Sequence, residues 1–404
     1  MEAKQAIGRF SLIQQIIVAM ILGAAVGYAW PAAGEGVAFL GSLFTKALKA
    51  VAPILVFTVV LSALANSRID TRTNVKKVLV LYVTGTLLAS LAATTMGMAF
   101  PVRIDLNLAE AAAADTAPTS IGQVLIKLLE NTFSNPVAAL VEANFLGILA
   151  WGVILGLTFR KANQETRTVI GDLAEGVNAA VRFVIMLAPI GIFGIVAGIV
   201  SAKGFGVFVD YGKLILVLVG AMLFVAFLMN PAMVYLFTRK NPYPLVWRTV
   251  SQSGLTAFFT RSSAANIPVN MALCERMKLN HDTYSITIPL GATINMAGAA
   301  VTITVMTLAA CHSLGIPVSF AEGVILSFLA ALGACGASGV AGGSLLLIPL
   351  ACSMFSMPDT VAPQLIAIGL MIGVIQDSCE TALNSSSDVL FTAAAEQWAH
   401  RSGK

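Results

Sequence analysis

Charge is what this 404-residue chain has least of: Asp, Glu, Lys and Arg together make up 11% of it. The net charge of +4 is scattered, which argues against nucleic acid as a partner. Histidine occurs only at His281, His312 and His400, too few and too far apart for a zinc site. The five cysteines (Cys274, Cys311, Cys335, Cys352 and Cys379) form no C-x-x-C pair and fall in or beside apolar or Gly/Ala-rich runs. They support neither a disulfide framework nor a thiolate metal centre. What is abundant is apolar surface: 57% of residues are hydrophobic and the mean hydropathy is +0.86. A soluble domain cannot hide that much, so the composition reads as an all-α polytopic membrane protein.

The apolar runs are Phe10–Trp30, Gly41–Ala65, Val78–Phe100, a broken stretch Ile121–Phe159, Val177–Ile199 and Leu214–Phe237. The first lacks a convincing A-x-A-like cleavage site after it and reads as a retained helix. Pro136 should break the fourth. Two further runs, Pro242–Leu273 and Phe320–Phe355, are interrupted by T-R-S-S-A-A-N-I-P and A-C-G-A-S-G-V-A-G-G-S. Between them Tyr284–Leu314 is interrupted at Asn295–Gly298, and Val361–Ala394 comes last. Eight spans plus two re-entrant hairpins put Lys4, Arg9, Arg68, Arg72, Lys76, Lys77, Arg160, Lys161, Arg167, Arg239, Lys240, Arg248, Arg276, Lys278, Arg401 and Lys404 on one side. Only Arg103, Lys203 and Lys213 fall on the other. Positive charge marks the cytoplasmic face, so both termini should be cytoplasmic; the first hairpin should open inward and the second outward.

Inside the last run lies Q-D-S-C-E-T-A-L-N-S-S-S-D, Gln376–Asp388. At 100° per residue, Asn384 and Asp388 point within about 20° of Asp377, with Glu380 and Thr381 flanking. Each carboxylate near a bilayer centre costs about 2.5–3.5 kcal/mol on insertion scales. Such a face is retained only where something binds, and here it reads as the floor of a cation and solute site. Helices broken at mid-membrane fit that reading. Their freed carbonyls and half-helix ends must be satisfied, and they are tolerated where they line a cavity. Gly/Ala/Ser clusters alone would mean only close packing; the interruptions together with three acidic residues in one span argue for a transporter's central site.

These motifs resemble, in order, those of the glutamate-transporter family of dicarboxylate/amino acid:cation symporters. The similar stretches are Leu43–Phe57, the serine-rich tip Phe259–Pro268, and N-M-A-G-A (Asn295–Ala299) for the family's N-M-D-G-T. The second tip Gly336–Gly343 and D-x-x-E-T-x-x-N-x-x-x-D (Asp377–Asp388) complete them. Within the family the chain is most similar to the bacterial sodium-coupled serine/threonine transporters. The resemblance implies a homotrimer in the inner membrane, working as an elevator. Its transport parts would be residues 78–100 and 206–404, with hairpins near 242–273 and 320–355; residues 1–77 and 101–205 would form the scaffold. It also implies a substrate site of Asp377 for the α-amino group, Asn384 and Ser263 for the α-carboxylate, and the carbonyls of Arg261 and Val340. Ser262, Gly342, Glu380 and Thr381 belong to the same implied site. Sodium would be held in one place by Asp388 with the carbonyls of Gly291, Asn295 and Asn384, and in another by Thr293, Ala334, Cys335 and Ala337. An all-oxygen set suits a hard monovalent cation.

Four positions depart from the family. Ala297 replaces an ion-site aspartate and Ala89 a hydroxyl, which implies fewer coupled sodium ions. Ala299 replaces a threonine. Glu380 stands where acidic-substrate members have the arginine that pairs with the substrate's side chain, so a glutamate or aspartate substrate would be repelled. Glu380 should therefore either accept a hydrogen bond from a substrate hydroxyl or pair with Arg261.

The function that follows is sodium-coupled import of small neutral amino acids, serine and threonine first. The alternatives are another small amino or dicarboxylic acid as substrate, or a passive solute or anion channel. A hydrolase with Ser262 or Ser263 as nucleophile has no histidine or suitable lysine nearby as base. Among the remaining residues, Arg182 and Lys127 read as snorkelling or interfacial, and Lys46 and Lys49 as interface anchors. His312 and Cys311 read as loop-end residues without chemistry. Tyr82, Trp151 and Tyr235 are expected in the aromatic belt.

Overall fold

The computed structural model describes residues 12–66, 74–106, 126, 130, 132–142, 144–335, 337 and 342–401. Lys127, Val340 and the cations at 4, 9, 68, 72 and 404 lie outside the described residues, as do parts of the broken stretch 121–159 and of the second tip. Every described regular element is helical. The chain is a multi-pass membrane protein: four described helices are long and apolar enough to cross a bilayer, or five counting one bent pair.

The first helices are α1 (Leu12–Ala29), α2 (Pro31–Ala65), α3 (Val75–Ala99), the short α4 (Pro136–Val141), α5 (Phe145–Phe159), α6 (Gln164–Met186) and α7 (Ala188–Lys203). The sequence placed the start of α2 ten residues too late. Pro31 sits in its first turn, where a missing N–H costs nothing. Pro136 breaks the fourth stretch as expected, but from the first turn of α4, where Asn135 Oδ1 accepts from the amides of Val137 and Ala138. The single span expected over 177–199 is instead two helices bent by 44° at Leu187. Pro189 has no N–H for the carbonyl four residues back, so the helix cannot run straight through.

The second half begins with α8 (Val207–Phe224), a π turn at Val225–Met229 and α9 (Asn230–Thr238). The first hairpin is α10 (Tyr243–Thr249), a π turn, α11 (Leu255–Thr260) and α12 (Ser263–Arg276). It reverses at Arg261, whose φ of 51° is left-handed, and Ser262 Oγ caps α12 by accepting from the Ala265 amide. Next come α13 (His281–Ile294) and α14 (Ala297–Leu314), parted where Asn295 and Met296 leave helical geometry. The second hairpin starts at α15 (Phe320–Ala334), capped reciprocally by Ser319 and Glu322, and returns through a 3-10 turn, Gly343–Leu347, and α16 (Ile348–Met354). The 41-residue α17 (Val361–Arg401) closes the chain. At 1.5 Å per residue it is about 60 Å long, roughly twice the hydrocarbon thickness.

The helices pack in two groups. Helices α1, α2, α5, α6 and α7 hold one another, and α3 with α8–α17 forms the other. The groups meet mainly where α17 and the 3-10 turn touch α1, α2 and α7. Lipid tails are as apolar as leucine, so close packing rather than hydrophobic expulsion holds such groups together. In the first group, a Cβ on Gly27 would collide with the Ala197 carbonyl, so α1 and α7 approach backbone to backbone. In the second, α14 is buried from Ala297 to Cys311 on every side, as a helix apolar all round must be.

Candidate functional site

The middle of α17 faces the tips of both hairpins and the break between α13 and α14. Asp377, Glu380, Thr381, Asn384 and Asp388 are all buried, and the side chains that meet them come from five separate elements.

Asp377 is the most constrained. Its Oδ2 takes the Arg261 Nε–H at 2.7 Å from the first tip, and its Oδ1 takes the Gly342 amide at 3.1 Å from the second. One carboxylate thus ties both hairpins to α17. A carboxylate offers about four acceptor positions, and Asp377 has two in use among the described residues. Thr381 Oγ1 donates back to the Asp377 carbonyl at 2.7 Å.

Glu380 is paired otherwise than the sequence suggested. Arg261 belongs to Asp377, so an Arg261–Glu380 ion pair is excluded in this structure. A single oxygen, Oε2, accepts from Thr302 Oγ1 (2.7 Å), Ser344 Oγ (2.8 Å) and Gln376 Nε2 (2.6 Å). All three donors are neutral, and Oε1 accepts from none of the described residues. The sequence reading missed Thr302, Ser344 and Gln376. Gln376 lies one turn before Glu380 on the same face and could have been suspected; the other two come from distant elements and could not.

Asn384 Oδ1 accepts the Gly298 amide at 2.7 Å from the start of α14, while its Nδ2 meets, among the described residues, only the Met296 sulfur at 3.4 Å. Ser263 is buried at the tip beside Ser262, whose hydroxyl is used for capping.

Asp388 faces the unwound segment. Its Oδ1 accepts from Asn295 Nδ2 at 2.9 Å, and the same Nδ2 also donates to Ser387 Oγ at 2.8 Å. Asp388 Oδ2 and Asn295 Oδ1 are buried without a hydrogen-bond partner. The approach is possible because residue 291 is glycine: a Cβ there would lie 2.5 Å from Asp388 Oδ1. Tyr82, expected at the membrane interface, is instead fully buried here. Its hydroxyl lies 3.1 Å from the Asp388 carbonyl, 3.2 Å from that of Thr287 and 3.3 Å from Thr392 Oγ1. An aromatic with a buried partner for its hydroxyl need not stay at the interface. Trp151 is half-buried and donates to the Ser134 carbonyl at 2.8 Å, whereas Tyr235 is exposed.

The two orphaned oxygens lie beside the Asn384 carbonyl, 3.4 Å from Asn295 Nδ2, and oxygen donors of this kind suit a hard monovalent cation. At the second expected ion position, Cys335 Sγ reaches the Ile294 carbonyl at 3.6 Å, so the start of the second tip meets the end of α13. Ala334 and Ala337 are buried there, the Ala337 amide donating to the Ala334 carbonyl.

Behind the first tip is a network the sequence did not disclose. Asn266 Nδ2 donates to Ser385 Oγ (2.8 Å), Asn270 Nδ2 to the Ser385 carbonyl (3.1 Å), and Ser253 Oγ to Asn270 Oδ1 (2.5 Å). It binds both arms of the first hairpin to α17.

The model of the family described as "Sodium:dicarboxylate symporter family" matches residues 12–398, nearly the whole chain.

Proposed function

Because the chain belongs to the sodium:dicarboxylate symporter family and is therefore a sodium-coupled symporter, we propose that its substrates are small neutral amino acids, serine and threonine first. The observation that carries this is the charge balance of the site. Asp377 is matched by Arg261, whereas Glu380 and Asp388 are buried with neutral partners only among the described residues. A buried carboxylate without a counter-charge is costly. A sodium ion beside Asp388 supplies positive charge there, and a neutral zwitterionic amino acid adds no net negative charge beside Glu380. A dicarboxylate would add another negative group against Glu380, which disfavours it by like-charge repulsion.

In this reading the ammonium takes the free acceptor positions of Asp377, flanked by the carbonyls of Arg261 and Val340. The α-carboxylate meets Asn384 Nδ2 and Ser263. Glu380 Oε1 accepts the hydroxyl hydrogen of serine or threonine, while Thr302, Ser344 and Gln376 fix the carboxylate's orientation. Sodium binds at Asp388 and Asn295, with a second ion at Thr293, Ala334, Cys335 and Ala337. The second hairpin is the outer gate, since its Gly342 amide and Ser344 hydroxyl complete the site. The group containing α17 moves against the other as an elevator within a homotrimer of the bacterial inner membrane, both termini cytoplasmic.

Uptake of labelled serine into proteoliposomes, with and without an inward sodium gradient, tests this directly. Saturable, sodium-dependent uptake that cold threonine competes with and cold aspartate does not is the expected result. Aspartate transported better than serine overturns the substrate assignment, and flux linear in concentration indicates a channel.

A further inference from the structure

Away from the α17 site, the segment after α3 crosses the last turn of α14, the Ile104 amide donating to Ser313 Oγ at 2.8 Å. Beside this crossing lies a cavity of about 500 Å³. Among the described residues its polar lining consists of Arg103, Lys213 and His312, its apolar lining includes Val102, Ile316 and Pro317, and no acidic side chain lines it. Histidine 312 is therefore more than the inert loop-end residue its sequence position suggests. Its Nδ1 is buried without a hydrogen-bond partner. Arg103 is exposed and has no ion-pair partner among the described residues. Lys213 has a contact of its own and contributes charge, so the unused donor capacity rests on Arg103 and His312.

We propose that this cavity is an anion site that binds a phosphate group. Three features select that chemistry. The guanidinium is a planar fork that matches two oxygens of a phosphate, whereas a halide engages it at one point. The His312 imidazole lines the cavity and adds a nitrogen donor beside the guanidinium. The cavity is far larger than a monatomic ion, and its Val102, Ile316 and Pro317 walls suit the organic remainder of a phosphodiester. The phosphate can come from an anionic phospholipid headgroup or from solution. Because the lining comes from the end of α3, the start of α8 and the α14–α15 loop, a bound phosphate would clamp three elements of one helical group.

The test uses the purified full-length protein, stripped of lipid in detergent, in native mass spectrometry and thermal unfolding. Phosphatidylglycerol, zwitterionic phosphatidylcholine and inorganic phosphate are the probes, with chloride as control. Phosphatidylglycerol binding that weakens at least tenfold in both Arg103→Gln and His312→Gln, with phosphatidylcholine much weaker throughout, supports a lipid headgroup. Stabilisation by inorganic phosphate that both substitutions abolish supports a soluble phosphate. Equal binding and equal stabilisation in wild type and both variants overturns the proposal, as does stabilisation by chloride equal to that by phosphate. Unchanged sodium-dependent uptake in the variants establishes that they fold, and lies outside the binding readout.

Discussion

At the scale of single residues, two carboxylates on α17 have separable duties. Asp388 is the carboxylate that faces the unwound segment, with one oxygen on Asn295 and the other unpartnered. Asp388→Asn is nearly isosteric and removes the charge. Sodium affinity should fall about tenfold or more, roughly 1.4 kcal/mol, while serine binding at saturating sodium suffers less. Titrating sodium in a binding assay on the variant checks this; an unchanged sodium dependence would place the ion elsewhere. In the proposed reading, Glu380 meets the side chain of the substrate. Its Oε2 is saturated by three donors, so Oε1 is the position left for a ligand. In Glu380→Gln, serine and threonine should weaken by about 1–3 kcal/mol and alanine much less, because only the hydroxyl loses its acceptor. Competition of labelled serine uptake by the cold amino acids reads the difference. Equal weakening of all three would mean that Glu380 serves the hairpin and not the substrate. The sequence showed these carboxylates and their common face, because spacing along one helix is local information. It could not show which partner each takes: Arg261 was a candidate for Glu380 but pairs with Asp377, and a trio of neutral donors is brought to Glu380 from α14, the 3-10 turn and α17 itself.

At the scale of elements, the two hairpins are held differently. The first is fastened by the Ser253–Asn266–Asn270–Ser385 network in addition to Arg261–Asp377. In the second, the Gly342 amide and the Ser344 hydroxyl reach α17. Asn270→Ala strips partners from Ser253 and Ser385 in a buried place and should cost about 1–3 kcal/mol. A lower melting temperature of the detergent-solubilised variant is the measure; an unchanged one would make the network dispensable. The sidedness of the hairpins is open to chemical labelling in a background freed of native cysteines. Asn266, at the tip, is fully buried within the network and unsuited to a reporter. A cysteine at His281, which is exposed, should react with a membrane-impermeant maleimide only from the cytoplasmic side, and one at Ser356 only from outside. The opposite pattern would invert the orientation inferred from the charge bias.

At the scale of the molecule, the two helical groups are separate bodies in packing terms, joined along α17. Between them a cavity of about 690 Å³ is lined by both groups, including Ser42 and Lys46 of α2 and Gln364, Ala367 and Met371 of α17. If one body slides past the other during transport, a covalent tie across this cavity must stop it. Cysteines at Ser42 and Gln364 joined by a cleavable bifunctional maleimide should abolish serine uptake, and cleavage should restore it. Full uptake with the tie in place would rule out a sliding motion between these bodies.

The amino-acid sequence alone was enough for the membrane environment, the helical class, the order of broken segments and the carboxylate face. All of these depend on composition or on periodicity within one segment, where neighbours in sequence are neighbours in space. Tertiary structure decided the rest. The buried place of Tyr82 follows from what its segment packs against, whereas the bend at Leu187 and the earlier start of α2 trace to the local prolines Pro189 and Pro31. The pairing of Arg261 with Asp377, the neutral shell of Glu380 and the unpartnered nitrogen of His312 arise between residues tens to hundreds of positions apart. A hydrogen bond is decided within a few tenths of an ångström, and only the folded chain sets distances that fine between its remote parts.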